Sequence, residues 1–227
     1  MHISSALRVN TAHTYSAARG EEMPGRDSLI RAFDVVIALC ALAFFAPLLL
    51  LLCALIAIFD RGPIFFRQTR IGKDGVPFHC LKFRSMVVDA DRRLAELLQR
   101  DMQARLEWTM NQKLARDPRI TGIGRFLRKS SLDELPQFLN VLRGDMSIVG
   151  PRPIVLDEAT RYGRYFHAYK SVRPGLTGLW QVSGRNSTTY RRRVALDVLY
   201  TRRKSLSMNI RILAMTVPTV VAARGCS

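Results

Sequence analysis

The longest apolar stretch runs from Val35 to Phe59, 25 residues without a charge. As one straight helix it would measure about 38 Å, more than the roughly 30 Å of a bilayer's hydrocarbon core. A membrane helix is therefore expected. Pro47 lies at its centre, where it removes a backbone hydrogen bond and bends the helix. The two halves, 35–46 and 47–59, are each about 18–20 Å long and reach roughly mid-membrane. Basic residues flank both ends: Arg19, Arg26 and Arg31 before, Arg61, Arg67, Arg70 and Lys73 after. Basic flanks mark the cytoplasmic side. The pattern thus favours a re-entrant hairpin broken at Pro47 over a kinked spanning helix. Lipid offers no hydrogen-bond partner, so backbone exposed at the break must find one in the protein.

The remaining pattern predicts a mainly α chain with a short β-hairpin. Residues 1–28 are polar and rich in small side chains, and read as a disordered leader. Residues 29–60 form the membrane hairpin, and 61–227 a cytosolic, membrane-associated domain. Phe65–Gln68 and Val76–Leu81 flank Lys73-Asp74-Gly75, a turn with a glycine for positive φ. Leu94, Leu97 and Leu98 place a helix over 89–115. Residues 119–150 mix short helices with tight turns at Gly122, Gly124, Gly144 and Gly150. Residues 154–170 read as helix and 173–186 as a Gly-rich loop. Residues 189–223 are helical, basic and apolar together, which suits an interfacial helix on an anionic membrane or a basic helix packed on the core.

Charge narrows the function. The chain carries 35 Lys and Arg against 18 acids, net +17, and residues 60–227 hold 31 of the basic and 14 of the acidic groups. Such an excess fits nucleic acid, an anionic membrane surface or phosphate-rich substrates. The four cysteines, Cys40, Cys53, Cys80 and Cys226, form no CxxC pair and have no histidine at metal spacing, which argues against zinc. The apolar run is too long, and begins too late, for a signal peptide.

Candidate chemistry gathers at Arg125-Phe-Leu-Arg-Lys-Ser-Ser-Leu-Asp-Glu-Leu-Pro-Gln137. Pro136 belongs in a first helical turn, so a helix is expected to start near Leu132 or Asp133. Ser131-x-x-Glu134 fits a capping box, in which Glu134 would merely cap the helix and Asp133 complement its dipole. Yet a helix start binds phosphate, and Arg125, Arg128 and Lys129 lie one turn before it. Two adjacent carboxylates among cations can act as nucleophile and Mg²⁺ ligand. Phosphoryl transfer needs little beyond positioning and charge neutralisation. Gly150-Pro-Arg-Pro153 holds Arg152 between prolines, a rigid frame for a phosphate clamp. Lys82-Phe-Arg-Ser-Met86 sets Lys82 and Arg84 astride an aromatic residue. The segment Arg173–Arg185 (RPGLTGLWQVSGR) combines backbone freedom, polar groups and Trp180, as a nucleoside-binding loop would.

Together, Lys82–Met86, Ser131–Gln137, Asn140–Pro153 and Arg173–Arg185, in this order, resemble the bacterial sugar transferases, the monotopic phosphoglycosyl transferases. The likeness runs from about Ser28 to the C-terminus. It implies a re-entrant helix broken at Pro47, with the catalytic domain on the cytoplasmic face of the bacterial inner membrane. It implies Asp133 as nucleophile on the β-phosphate of a UDP-sugar, release of UMP, and transfer of the phosphosugar to undecaprenyl phosphate. Glu134 matches the dyad partner, and Mg²⁺, held by Asp133 and Glu134, the metal. Arg128, Arg152, Lys82 and Arg84 are the phosphate-binding candidates. Arg173, Thr177, Trp180, Gln181 and Arg185 are the nucleotide- and sugar-binding ones. The form Leu-Trp-Gln-Val-Ser-Gly-Arg is similar to the hexose-1-phosphate branch of exopolysaccharide synthesis, with glucose or galactose as the sugar. Ala46, Ser187 and Asn209 depart from common family choices, none of them at the dyad. Anionic lipids are expected partners, nucleic acid is not, and a homodimer is left open. Two other readings stand beside this one: a conventional UDP-releasing glycosyltransferase, and a membrane-tethered basic scaffold binding anionic lipid or nucleic acid. Paired acids amid the cations speak against the scaffold.

Overall fold

The computed structural model describes residues 24–60, 62–111, 114–184 and 188–221. Helix α1 (Pro24–Phe59) has 36 residues, about 54 Å of helix. It is long and apolar enough to cross a membrane. Residues 24–28, expected in the leader, form its first turns. The helix also continues through Pro47, so the expected separation into two halves is not seen. The Leu- and Ala-rich runs on both sides are strong helix formers, and one lost hydrogen bond does not outweigh them.

Two separate stretches of α1 are buried against the body. Near its start, Ile30, Asp34 and Ala38 are covered. Asp34 accepts hydrogen bonds from the Ser147 hydroxyl (3.0 Å) and the Ile148 N–H (2.9 Å). Near its end, Leu52 and Ile56 pack with Phe83 and Leu127. From residue 30 to residue 56 is about 39 Å along a helix. Between and around these patches, Leu39, Phe44, Leu50, Leu51 and Ile58 are exposed.

Strands β1 (Phe65–Ile71) and β2 (Pro77–Phe83) pair antiparallel, with Phe66 opposite Lys82 and Arg70 opposite Phe78. Gly75 takes φ +81° in the connecting turn, as expected, and Asp74 joins it at +59°, a conformation Asp tolerates. The single helix expected over 89–115 is two, α2 (Ala90–Arg100) and α3 (Met102–Asn111). Asp101 divides them. Its carboxylate accepts from the N–H groups of Gln103 (2.8 Å) and Ala104 (3.0 Å), an N-cap in mid-pattern.

Helix α4 (Gly122–Ser130) absorbs Gly122 and Gly124, which were expected in turns, because Thr121 caps it through the Gly124 N–H at 2.9 Å. Gly124 lies against the Ser85 backbone so closely that a Cβ would strike the Ser85 carbonyl. A 3₁₀ turn over Leu132–Glu134 and helix α5 (Gln137–Arg143) follow, then strand β3 (Ser147–Val149). The helical stretch expected over 154–170 is α6 (Leu156–Tyr162), a 3₁₀ turn and α7 (Phe166–Lys170). The expected Gly-rich loop contains strand β4 (Gly175–Thr177), parallel to β3, and helix α8 (Leu179–Val182). The last helical stretch is split into α9 (Tyr190–Arg203) and α10 (Leu206–Val221).

One core cluster joins Ala38 of α1 to Val141, Met146, Ile148 and Ile212. A second gathers Ile71, Ile154, Tyr162, Tyr169 and Val194. The Tyr169 hydroxyl donates to the Ile71 carbonyl (2.7 Å), and Tyr162 donates to Asp197 (2.7 Å). The hairpin is thus held on one side by aromatic residues of α6 and α7, and on the other by α5.

Candidate active site

Asp133 and Glu134 do not open an α-helix. Ser131 ends α4 in the left-handed region at φ +59°, and the dyad occupies the tight turn that follows. Ser131 makes no side-chain capping bond, and α5 begins only at Gln137, after Pro136. The expected capping box is therefore absent. The left-handed residue reverses the chain first, and Pro136, with its fixed φ, starts the next helix one turn later. The reversal buries Asp133 to 8 % exposure.

Lys82, from β2, faces both acids. Its ammonium is 2.6 Å from Glu134 Oε1 and 3.7 Å from Asp133 Oδ2. Burial pushes the Asp133 carboxyl above the ordinary carboxylate range; Lys82 pulls it down, Glu134 raises it and Arg128 lowers it. Arg128, on the last turn of α4, donates through Nε to Ser85 Oγ at 2.8 Å, and its charge acts on Asp133. Burial lowers the Arg128 pKa, and the Asp133 charge opposes that shift.

An open cleft of about 300 Å³ lies beside the dyad, lined by Arg70, Lys82, Glu134, Gln137, Arg152 and Gln181 among others. Arg152 reaches it from the segment after β3, and Gln181 from α8. Gly150 and Gly175 make this possible: a Cβ on either would overlap the other's backbone, and that contact lets β3 and β4 lie side by side. Asn140 lies on α5, just after the dyad. It is fully buried, accepts from the Leu81 N–H (2.9 Å), and donates to the His79 carbonyl (2.8 Å) and Asp145 (3.0 Å). This side chain fastens α5, just after the dyad, to the strand that carries Lys82.

Not every candidate converges here. Arg84 turns its guanidinium to the Asp60 carbonyl at the end of α1, where a cation offsets the helix's negative pole. Arg173 donates to the Gly144 carbonyl at 2.8 Å and lines a different pocket. The Thr177 hydroxyl meets that of Thr216 at 2.8 Å. Trp180 donates to Thr188 (2.8 Å) and lies beneath the Arg193 guanidinium, 4.9 Å from its ring centre. Arg185 lies outside the described residues. Lys82, Asp133, Glu134, Arg128, Arg152 and Gln181 do come together.

Arg70 was missed. It shares the strand face of Lys82, and hydrogen bonds to Gln68 (2.6 Å) and the Pro153 carbonyl (3.1 Å) hold it in the cleft near Arg152. Burial and the Arg152 charge both lower its pKa. Counting outward from the Lys73–Gly75 turn with period two would have found it.

Mg²⁺ favours one or two carboxylates supplemented by phosphate and water. Both carboxylates here converge on one cation, the Lys82 ammonium. No cluster of three acidic, Cys or His ligands occurs among the described residues. The two adjacent carboxylates fit a divalent cation shared with a phosphate-bearing substrate.

The bacterial sugar transferase model matches residues 26–223. The exopolysaccharide production protein ExoY of Sinorhizobium fredii is 49 % identical over 195 residues, 86 % of each chain. The undecaprenyl-phosphate galactose phosphotransferase of Salmonella typhimurium is 48 % identical over 197 residues, 87 % of this chain and 41 % of that one. The UDP-glucose:undecaprenyl-phosphate glucose-1-phosphate transferase of Caulobacter vibrioides is 42 % identical over 203 residues, 84 % of this chain and 69 % of that one. The order of motifs, the acidic pair beside a basic cleft and these matches carry one conclusion: the chain belongs to the bacterial sugar transferase family.

Proposed function

We propose that this enzyme transfers hexose-1-phosphate, of glucose or galactose, from a UDP-sugar to undecaprenyl phosphate, as an early membrane step of exopolysaccharide synthesis. The observation that carries the reading is the buried Asp133, 3.7 Å from the Lys82 ammonium and in the field of Arg128, at the edge of an Arg-lined cleft. A desolvated carboxylate with cations nearby suits in-line attack on phosphorus. Asp133 attacks the β-phosphorus; the bond to the α–β bridging oxygen breaks, and UMP leaves with that electron pair. The phosphosugar remains on Asp133 as an acyl phosphate. An oxygen of undecaprenyl phosphate then attacks the same phosphorus, and the Asp133 carboxylate departs. Arg152 and Arg70 hold substrate phosphate, and Lys82 favours the ionised form of Asp133 and orients both acids. Mg²⁺, held by Asp133 and Glu134 together with substrate phosphate, would neutralise charge on the transferring group.

The same reading places α1 re-entrant on the cytoplasmic face of the inner membrane, with anionic lipid around it. Contacts near both of its ends with one body support this placement, since a helix crossing the bilayer would carry one end away from a cytosolic domain. Cysteine tags at Arg26 and Arg70 are expected to label only from the cytoplasmic side; labelling from opposite sides would restore a spanning helix.

The test of the reaction is the nucleotide released from UDP-glucose or UDP-galactose with undecaprenyl phosphate and Mg²⁺. UMP, absent with Asp133→Asn, is the expected product. UDP would mean a conventional glycosyltransferase.

A further inference from the structure

A second open pocket lies at the start of α1. It contains none of the dyad residues. Asp27, Arg31 and Asp34 line it from one face of α1, Lys73 from the hairpin turn, Arg173 from the segment before β4, and Lys204 from the end of α9. Four cations from four segments thus meet two acids.

The acids are already occupied. Asp27 pairs with Lys204 at 2.8 Å, and Asp34 accepts from Ser147 and Ile148. Arg31 spends its terminal nitrogens on the Val141 (2.6 Å) and Leu142 (3.0 Å) carbonyls at the end of α5. Two donors remain. The Lys73 ammonium makes no hydrogen bond or ion pair among the described residues, and the Arg173 guanidinium uses only Nε, on Gly144. The four cations outnumber the two acids, and one more anion would offset the remaining charge.

We infer that this pocket binds the phosphate of an anionic phospholipid headgroup, through Lys73 and Arg173 with support from Lys204. Its place in the chain selects the lipid. The pocket lies where the charged turns of α1 give way to the uncharged run beginning at Val35, and in a membrane helix that boundary sits at headgroup depth. The inference rests on the proposed membrane placement of α1, but not on the chemistry at Asp133. Gly175 and Leu176, two and three residues beyond Arg173, line the dyad cleft, so the headgroup site and the reaction site are joined by one short strand.

The test titrates the full chain, in a non-ionic detergent, with dihexanoylphosphatidylglycerol and reads binding by calorimetry and native mass spectrometry. One cation near such a headgroup contributes about fivefold in affinity. Lys73→Gln is expected to bind about fivefold more weakly, and Lys73→Gln with Lys204→Gln weaker still. Arg92→Gln, on the exposed face of α2, is expected to bind as the wild type does. Unchanged binding in both pocket variants, or an equal loss in Arg92→Gln, overturns the site. Inorganic phosphate competing as well as the short-chain lipid overturns the lipid assignment in favour of free phosphate. UMP release by Lys73→Gln in the same detergent is expected to equal the wild-type rate; a proportional loss would show that the pocket belongs to the reaction site instead.

Discussion

Asn140→Ala removes the side chain that ties α5 to β2. Three hydrogen bonds are lost, and the Leu81 N–H and His79 carbonyl lose their side-chain partner on that edge of β2. Each buried group left unsatisfied costs about 1–3 kcal/mol. Asn140 is fully buried, so water does not restore the bonds cheaply. The expected destabilisation is about 3–5 kcal/mol. For a chain of this size that lowers Tm by about 10 °C. Thermal unfolding in detergent micelles, followed by near-UV circular dichroism, measures it. Asn140→Asp is not expected to rescue: it keeps an acceptor for Leu81, but loses the donor to His79 and sets a carboxylate against Asp145. A Tm shift of less than about 2 °C in Asn140→Ala would refute the reasoning, because it would mean that α5 and β2 are joined by something else.

Three further outcomes follow from the site. Gly124→Ala should leave a folded protein whose turnover falls at least tenfold, on the order of one misplaced catalytic group, because α4 must move off Ser85 and take Arg128 with it; wild-type turnover would show that this contact yields without cost. The acid limb of the pH–rate profile should lie above the ordinary Asp range, since Asp133 must be ionised to attack and burial raises its pKa; a limb at or below pH 4 would contradict that. Asp197 is pushed up to about 6 by burial, with Tyr162 and Arg193 opposing the shift. A proton held more tightly in the folded chain gives stability that is complete below the unfolded carboxylate pKa, roughly 4, and is lost as pH rises through about 6. Wild type should therefore lose up to about 3 kcal/mol across that window relative to Asp197→Asn, whose amide oxygen still accepts from Tyr162; parallel denaturation curves from pH 4 to 7 would contradict the shift.

The features legible in the sequence were those written in local pattern. The apolar run, the β-hairpin and its glycine turn, and the Asp133-Glu134 pair among cations each declare themselves within one continuous stretch of at most 25 residues. What stayed hidden depends on distant parts. The β3–β4 pair is three residues per strand, too short for a period-two signal, and forms because Gly150 and Gly175 let two backbones touch. Asp101 looked like one more polar residue on a helix, yet its carboxylate starts a new one. Arg173 stood in a motif that resembled a nucleotide loop, while its guanidinium is drawn to the end of α5. Arg70 was read only as flanking charge, because its role depends on strand register. Pro47 carried an expected break, and the described helix runs through it.

The central claim is that Asp133 itself carries the sugar phosphate. Incubating the enzyme with UDP-galactose or UDP-glucose and Mg²⁺, without lipid acceptor, and measuring intact mass after an acid quench tests it most directly. The account predicts one added hexose phosphate, mapped to the peptide containing Asp133, removed by undecaprenyl phosphate and never formed by Asp133→Asn. An unmodified enzyme that releases UMP only when the lipid acceptor is present would contradict it, and would mean direct transfer between the two substrates.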